Sequence, residues 1–115
     1  MFAMLMGLTT ISCKQIHDRL PLHDLTVIDV NDRSRWQAAR VPGALNLDCV
    51  AFVADDLPAD RDTALAFYCS GPLCRKAPRA AKRAKAMGFA NVSVMSAGIQ
   101  GWLAAGMPVE SDSRR

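Results

Sequence analysis

The chain has 115 residues, half of them apolar and 22% charged, which is enough for one compact core and too little for two. That apolar content excludes a disordered chain. The uncharged N-terminal stretch, Met1 to Cys13, is too short and too interrupted by Gly7, Thr9, Thr10 and Ser12 to cross a bilayer. The net charge of +3 is unevenly spread: Arg75, Lys76, Arg79, Lys82, Arg83 and Lys85 fall within eleven positions that hold no acid, leaving eight basic against eleven acidic residues elsewhere.

The N-terminus lacks the positive start and small-residue cleavage site of a secretory signal, so a soluble, cytoplasmic protein without a membrane partner is the expectation. One domain is expected over residues 8–110, followed by a polar tail over residues 111–115 that frays. Ser12 and Gln15 have the spacing of a capping box and open a short helix over about 13–20, with Ile16 and Leu20 one turn apart on its apolar face, until Pro21 ends it. Leu25 to Val30 is short and β-branched, as a buried strand should be, with Asp29 near its end. A second helix runs over about 33–39, and Val41-Pro42-Gly43-Ala44 makes a turn. Leu45 to Leu47 reads as a brief strand, Cys49 to Ala54 as a short helix and Asp55 to Asp62 as a polar loop.

Ala64 to Tyr68 is the next buried strand and ends directly at Cys69. From Arg75 to Met87 the residues Ala77, Ala80, Ala81, Ala84 and Met87 recur with helical period while the basic residues take the other positions, and Gly88 is the expected C-terminal stop. Asn91 to Met95 gives a further strand, and Gly98 to Ala105 a last helix carrying Trp102, stopped by Gly106 and Pro108. Strands alternating with short helices define an α/β class with a mainly parallel sheet covered on both faces. Trp102 and Phe89 read as core.

Four cysteines are too few for a disulfide scaffold, and in a reducing compartment all four are expected as thiols. Cys13, Cys49, Cys69 and Cys74 with His17 and His23 form no paired C-x2-C arrangement, so neither a metal nor another cofactor is expected. In an open parallel sheet, ligands bind beyond the carboxyl ends of the strands. That is where Cys69 falls. The stretch Cys69-Ser70-Gly71-Pro72-Leu73-Cys74-Arg75 joins a buried strand to a basic helix, with Gly71 expected to let successive amides turn inward as an anion nest. Those amides, the positive end of the helix dipole and Arg75 all favour an ionised Cys69, since thiols in such places fall from about 8.5 to between ~3.5 and ~7.5. Such a nucleophile needs no histidine. The competing reading is a packing thiol, and a side chain turned inward and sealed from solvent would reduce Cys69 to scaffold.

These stretches, in this order, resemble the rhodanese-like domain of single-domain sulfurtransferases. Ile28-Asp29-Val30, Val41-Pro42-Gly43-Ala44 with Asn46, Phe67-Tyr68-Cys69 with its loop, Ala80-Ala81, Gly88-Phe89, and Ala97-Gly98 leading to Trp102 and Gly106-Met107-Pro108-Val109 carry the likeness over nearly the whole chain. The resemblance implies a three-layer α/β/α domain with a central five-stranded parallel sheet, and transfer of a sulfane sulfur from a small anion such as thiosulfate through a persulfide on Cys69. The acceptor it implies is a thiol or cyanide. Departures from the family pattern are Asn31 where arginine is frequent, Arg35 near a frequent glutamate, Ala39-Arg40 where Gly-His usually precedes the turn, and Ala97 where a first glycine is common. The loop looks like a Cys-x-Gly-Pro-x-Cys variant, in which Cys74 is either a small structural residue or a resolving thiol.

Asp29 is a candidate for supporting the loop, Arg40 for reaching the mouth of the site, and Phe52 with Leu73 for an apolar wall beside it. The Cys69 to Arg75 spacing is also that of cysteine-dependent phosphatases and arsenate reductases on this type of fold. Against those rivals, Tyr68 stands where they usually have histidine, and Pro72 removes one donor. A third alternative is a sulfur-carrier or binding module that docks an acidic protein through the basic helix. Nucleic acid is not an expected partner, because the basic segment lacks interleaved aromatic residues.

Overall fold

In the computed structural model, which describes residues 7–112, five strands form one wholly parallel sheet. They are β1 (Thr9–Thr10), β2 (Leu25–Asp29), β3 (Leu45–Asn46), β4 (Ala64–Tyr68) and β5 (Val92–Val94), in the spatial order β1-β5-β4-β2-β3. The helices are α1 (Cys13–Arg19), α2 (Arg33–Ala38), α3 (Lys76–Ala86) and α4 (Gly98–Ala104). After β2 the chain leaves toward β3, and after β4 it leaves toward β5 on the other side. The two central strands therefore flank the point where the order reverses, and their carboxyl ends are the place for a ligand site.

The alternation of side chains along the central strands assigns each residue to a layer. Ile28, Leu65, Phe67, Cys69, Val92 and Val94 pack in one apolar cluster with the α3 residues Ala77, Ala80, Ala81 and Ala84. Val27, Ala66 and Tyr68 face the opposite cluster, with Ile16 of α1 and Trp102 of α4. The helix α3 presents mainly alanine to the sheet, so its axis can lie close to β4 and β5. Pro78 sits in its first turn, where a missing N–H costs no intrahelical bond. At its other end Gly88, with φ +103°, stops the helix.

The capping box forms as expected: the Ser12 hydroxyl accepts from the Gln15 amide at 3.0 Å, and the Gln15 side chain accepts from the Ser12 amide at 2.8 Å. Pro21 falls within a 3-10 turn over Leu20–Leu22 that carries the chain away from α1. Two expectations are corrected. Cys49 to Ala54 is no α-helix but starts with a turn over residues 49–51, where the Asp48 carboxylate accepts from the amides of Val50 and Ala51 and satisfies them locally. At the junction with the stretch read as a loop from Asp55, Ala54–Asp56 forms a 3-10 turn.

Residues 111 and 112, assigned to the tail, are tied down: the Asp112 amide donates to the Gln37 carbonyl at 2.8 Å, and the Asp112 carboxylate accepts from Arg40 at 2.7 Å. Residues 113–115 of that tail, and residues 1–6 of the uncharged N-terminal stretch, lie outside the described residues. No helix among the described residues is long and apolar enough to cross a membrane.

Ala81 is fully buried between α3 and the sheet. Ala81→Leu overfills that layer and should cost about 1–3 kcal/mol in urea unfolding, without change in the circular dichroism of the folded state. A cost near zero would mean that α3 is not closely seated.

Candidate functional site

Cys69 is the first residue beyond β4, on the face that carries Leu65 and Phe67, and the period of two turns its side chain toward α3. Behind it, on the other face, a buried polar chain anchors the strand end. The Tyr68 hydroxyl donates to Asp29 Oδ2 at 2.7 Å and accepts from the Val41 amide at 3.1 Å. Asp29 Oδ1 accepts from the Asn31 amide at 2.8 Å. Asn46 donates from its side chain to the carbonyls of Asp29 and Asn31, joining the carboxyl ends of β2 and β3. Asp29 thus supports the site from beneath, holding the residue before Cys69 in place. Burial pushes the Asp29 carboxyl above its ordinary range, against the opposing pull of the Tyr68 hydroxyl and the Asn31 amide. Burial and the neighbouring Asp29 push the Tyr68 hydroxyl upward as well, so it serves as a neutral donor.

The loop after Cys69 folds back on itself. Cys74 donates its amide to the Gly71 carbonyl at 3.1 Å, which brings the Cα atoms of Cys69 and Cys74 to 6.4 Å. Their sulfurs are joined as a disulfide. The expectation of four free thiols is therefore corrected: Cys13 and Cys49 are free and half-buried, while the turn brings the other two within the Cα separation of about 4.4–6.8 Å that disulfides span. Burial pushes the Cys13 thiol above its ordinary range.

Cys69 is only 2% exposed and Cys74 is half-buried. Cys69 thus lies in the buried apolar cluster with Phe67 and Ala77, the position expected of a packing thiol; it is also bonded to Cys74, through a bond that reduction opens. The cavity beside the pair, bounded by Gly71, Ala77, Met95 and Ser96, measures about 10 Å³, room for one water at most.

The expected nest of amides is smaller than the loop's length implies. Pro72 has no N–H and the Cys74 amide is committed to Gly71, which leaves those of Ser70, Gly71 and Leu73 as loop donors. Gly71 does not adopt a positive φ, so it is not there for conformational freedom; a Cβ on it would come within 2.6 Å of the Gln100 side chain. The position that excludes a side chain is Gly98. With φ +65° it lies so close to the loop that a Cβ would stand 2.5 Å from the Ser70 carbonyl carbon. The next two amides of α4, Ile99 and Gln100, donate to the Cys69 and Ser70 carbonyls at 2.9 and 3.0 Å. The loop carbonyls are thereby held toward α4. Met95, Ser96 and these α4 residues belong to the site although the sequence reading passed over them; the Ala97-Gly98 pair was the available signal.

On its other side the loop runs into α3, with Arg75 as N-cap residue and Lys76 first in the helix, both exposed. No acid stands in that first turn, so two cations and the helix dipole have one sign at the loop's end. Arg83 is the exception to a solvated basic face: it lies 4.3 Å over the Phe52 ring and donates to the Phe52 and Cys49 carbonyls.

Two expected contributions, that of Arg40 and the wall of Phe52 with Leu73, are not made. Arg40 is stacked at 4.1 Å on Trp36 and held by Asp112 and Glu110, so it clamps the end of the chain and does not line the mouth of the loop. Phe52 is buried against Phe67 while Leu73 is 77% exposed, so the two form no common wall. Arg35 is exposed and pairs loosely with Asp32 at 3.7 Å. A cavity of about 400 Å³ opens at the carboxyl ends of β2 and β3, between Asn31, Asp48, Cys49 and Lys76. Another of about 570 Å³, near His23, Thr26 and Glu110, takes in none of the loop residues.

A wholly parallel sheet under two helical layers, with a cysteine at the carboxyl end of a central strand and a loop opening a basic helix, defines a sulfurtransferase-type fold. Residues 12–105 match the family model of the rhodanese-like domain, and the chain belongs to that family. It is 36% identical over 90 residues to the HTH-type transcriptional regulator Rv0324 of Mycobacterium tuberculosis, a match that takes in 76% of this chain and 38% of that protein. The chain thus spans well under half of the length of this relative.

Among solved structures it resembles the BH2092 protein of Bacillus halodurans (TM-score 0.83, 21% identity, 96% of this chain and 82% of the other). It also resembles a thiosulfate sulfurtransferase of Pseudomonas aeruginosa (TM-score 0.80, 19% identity, 98% of this chain and 22% of the other). A third neighbour is RPA3614 of Rhodopseudomonas palustris, described as a possible tyrosine phosphatase (TM-score 0.72, 23% identity, 90% and 86%). At these identities the likeness is one of fold.

The polar chain beneath Cys69 has a measurable signature. Because the folded-state pKa of Asp29 lies above its ordinary 3.8, this group contributes most stability below that pH and loses it as pH rises through the folded midpoint. Tyr68→Phe removes a donor to the carboxylate and leaves the Val41 amide unpaired. Its expected effects are an Asp29 midpoint displaced further upward by carbon-detected NMR and a loss of about 1–3 kcal/mol in urea unfolding. An unmoved midpoint would mean that the hydroxyl does not touch the carboxylate.

Gly98→Ala tests the other support. It should cost about 1–3 kcal/mol through backbone strain and quicken amide exchange at Ile99 and Gln100, while exchange within β2 stays as it was.

Proposed function

We propose that the chain is a sulfurtransferase that takes a sulfane sulfur from a small anionic donor such as thiosulfate and passes it, through a persulfide on Cys69, to a thiol or to cyanide. The observation that carries this reading is the position of Cys69, at the carboxyl end of a central strand with a short amide-bearing loop and the cationic start of α3 beyond it. Reduction of the Cys69–Cys74 bond comes first, since a disulfide sulfur is no nucleophile. The freed Cys69 thiolate attacks the outer sulfur of thiosulfate. The bond between the two donor sulfurs breaks with its electron pair, and sulfite departs.

Loop amides and the α3 dipole favour the persulfide anion as they favour the thiolate, so both resting charges sit in the same field. An acceptor thiolate or cyanide then removes the outer sulfur and returns Cys69 to its starting state. Arg75 and Lys76 attract the anionic donor, and rising salt should weaken that attraction.

A phosphatase or arsenate reductase remains the alternative enzyme, favoured by the seven-residue span from Cys69 to Arg75 and by the fold neighbour described as a possible tyrosine phosphatase. The shortage of loop donors argues against it, because a phosphocysteine would keep a dianionic group in the loop, whereas sulfite departs and the persulfide left behind carries one charge, and Pro72 and the internally bonded Cys74 leave few amides. The similarity to a transcriptional regulator supports a third use of the same chemistry, as a sulfur-sensing or carrier module attached to a longer protein and docking acidic surfaces through α3.

Intact-protein mass after prior reduction and exposure to thiosulfate tests the assignment. In a chain where Cys74 has been replaced by serine, an adduct of about 32 Da that dithiothreitol removes is expected, and the further change Cys69→Ser should abolish it. Hydrolysis of p-nitrophenyl phosphate or reduction of arsenate, with no sulfur adduct, would give the site to the alternative.

A further inference from the structure

We infer that Cys74 resolves the Cys69 persulfide, so that the wild-type chain turns sulfane sulfur into free sulfide and ends each turnover as the disulfide. The inference rests on the persulfide reading above and adds a second, reductive product to it. Three observations converge. The Cys74 sulfur is bonded to the Cys69 sulfur, so the loop presents it to the atom that would carry the transferred sulfur. The turn that delivers it is built in, since the Cys74 amide is held by the Gly71 carbonyl and the loop carbonyls by α4. Both cysteines line one cavity of about 10 Å³, whose lining holds no other thiol, so once sulfite has left, Cys74 is the thiol at hand.

The step balances without an added oxidant. The Cys74 thiolate attacks the inner sulfur of the protonated persulfide, the Cys69–Cys74 bond forms, and the bond to the outer sulfur breaks with its electron pair. That sulfur leaves as hydrosulfide, HS⁻. The sulfane sulfur gains two electrons and the two cysteines lose them.

A dithiol reductant closes the cycle by giving up two hydrogens and becoming a disulfide itself. The exposures set the direction of that exchange. Cys69 is 2% exposed and Cys74 half-buried, so the reductant meets Cys74 first and Cys69 leaves as the thiolate that the α3 terminus stabilises. The released nucleophile is then ready for the next donor.

The test is a single turnover of the full chain, reduced with dithiothreitol, freed of it under argon and given one equivalent of thiosulfate. For the wild type we expect about one equivalent of sulfide per chain, no lasting adduct and a mass about 2 Da below the reduced protein. Sulfide release, followed once the adduct has formed, should not depend on protein concentration. Cys74→Ser, and equally Cys74→Ala should the serine variant fold poorly, should hold the adduct of about 32 Da and release at least tenfold less sulfide. A wild type that holds the adduct as the variants do, and releases no more sulfide, would overturn the resolving role and leave the persulfide reading intact. Absence of an adduct in both variants would overturn the two together.

Discussion

Tyr68 Oη lies between two parts of the chain that are distant in sequence, accepting from the Val41 amide and donating to the Asp29 carboxylate. The position of the site depends on this hydroxyl. Without it the last residue of β4 would have only its backbone bonds and the apolar packing of its ring to hold it, and the next residue is Cys69. A buried carboxylate is costly unless its oxygens are satisfied, and here both are: one by tyrosine, the other by the Asn31 amide. The arrangement couples the end of β2, the turn before β3 and the end of β4 into one rigid corner. The loop that leaves this corner is then held from its other side by the amides of α4.

Much of this architecture can be read from the residue order, and the reasons are local. The capping box at Ser12 and Gln15, the β-branched run into Asp29, and the alanine period with interposed cations from Arg75 are signals complete within one stretch of chain. What escaped reading depends on contacts between stretches. The strand Thr9–Thr10 is two residues long, with both side chains exposed, so no apolar alternation marks it; its pairing with Ser93 and Val94 makes it a strand. Cys49 to Ala54 has a helical look, but the Asp48 carboxylate takes its first amides. Arg40 seemed close to the site because the neighbouring turn is; stacking on Trp36 and the acids at the chain's end decide where it goes. The loop itself was legible as a place for chemistry, yet the sequence alone left the role of Cys74 open, because only the fold-back at Gly71 brings the two sulfurs together.

The fold and the loop answer different questions. Neighbours of 19–23% identity share the sheet and helical layers, and they range from a thiosulfate sulfurtransferase to a possible tyrosine phosphatase. Such a scaffold supplies a strand end, a helix start and a cysteine between them; the donors left within the loop decide what charge it accepts. In this chain the proline and the internally bonded amide leave the loop few donors, which suits the single charge of the proposed persulfide. The surrounding charge is positive at the loop and along most of α3, whereas Arg83 is spent on packing against Phe52.

Both margins of the sheet are strands of two residues, β1 on one side and β3 on the other. Margins this brief offer almost no free backbone template on which another polypeptide could be laid as an added strand, and so they guard against edge-to-edge fibril growth. A fusion partner or an oligomer would have to be recruited by side-chain surfaces alone.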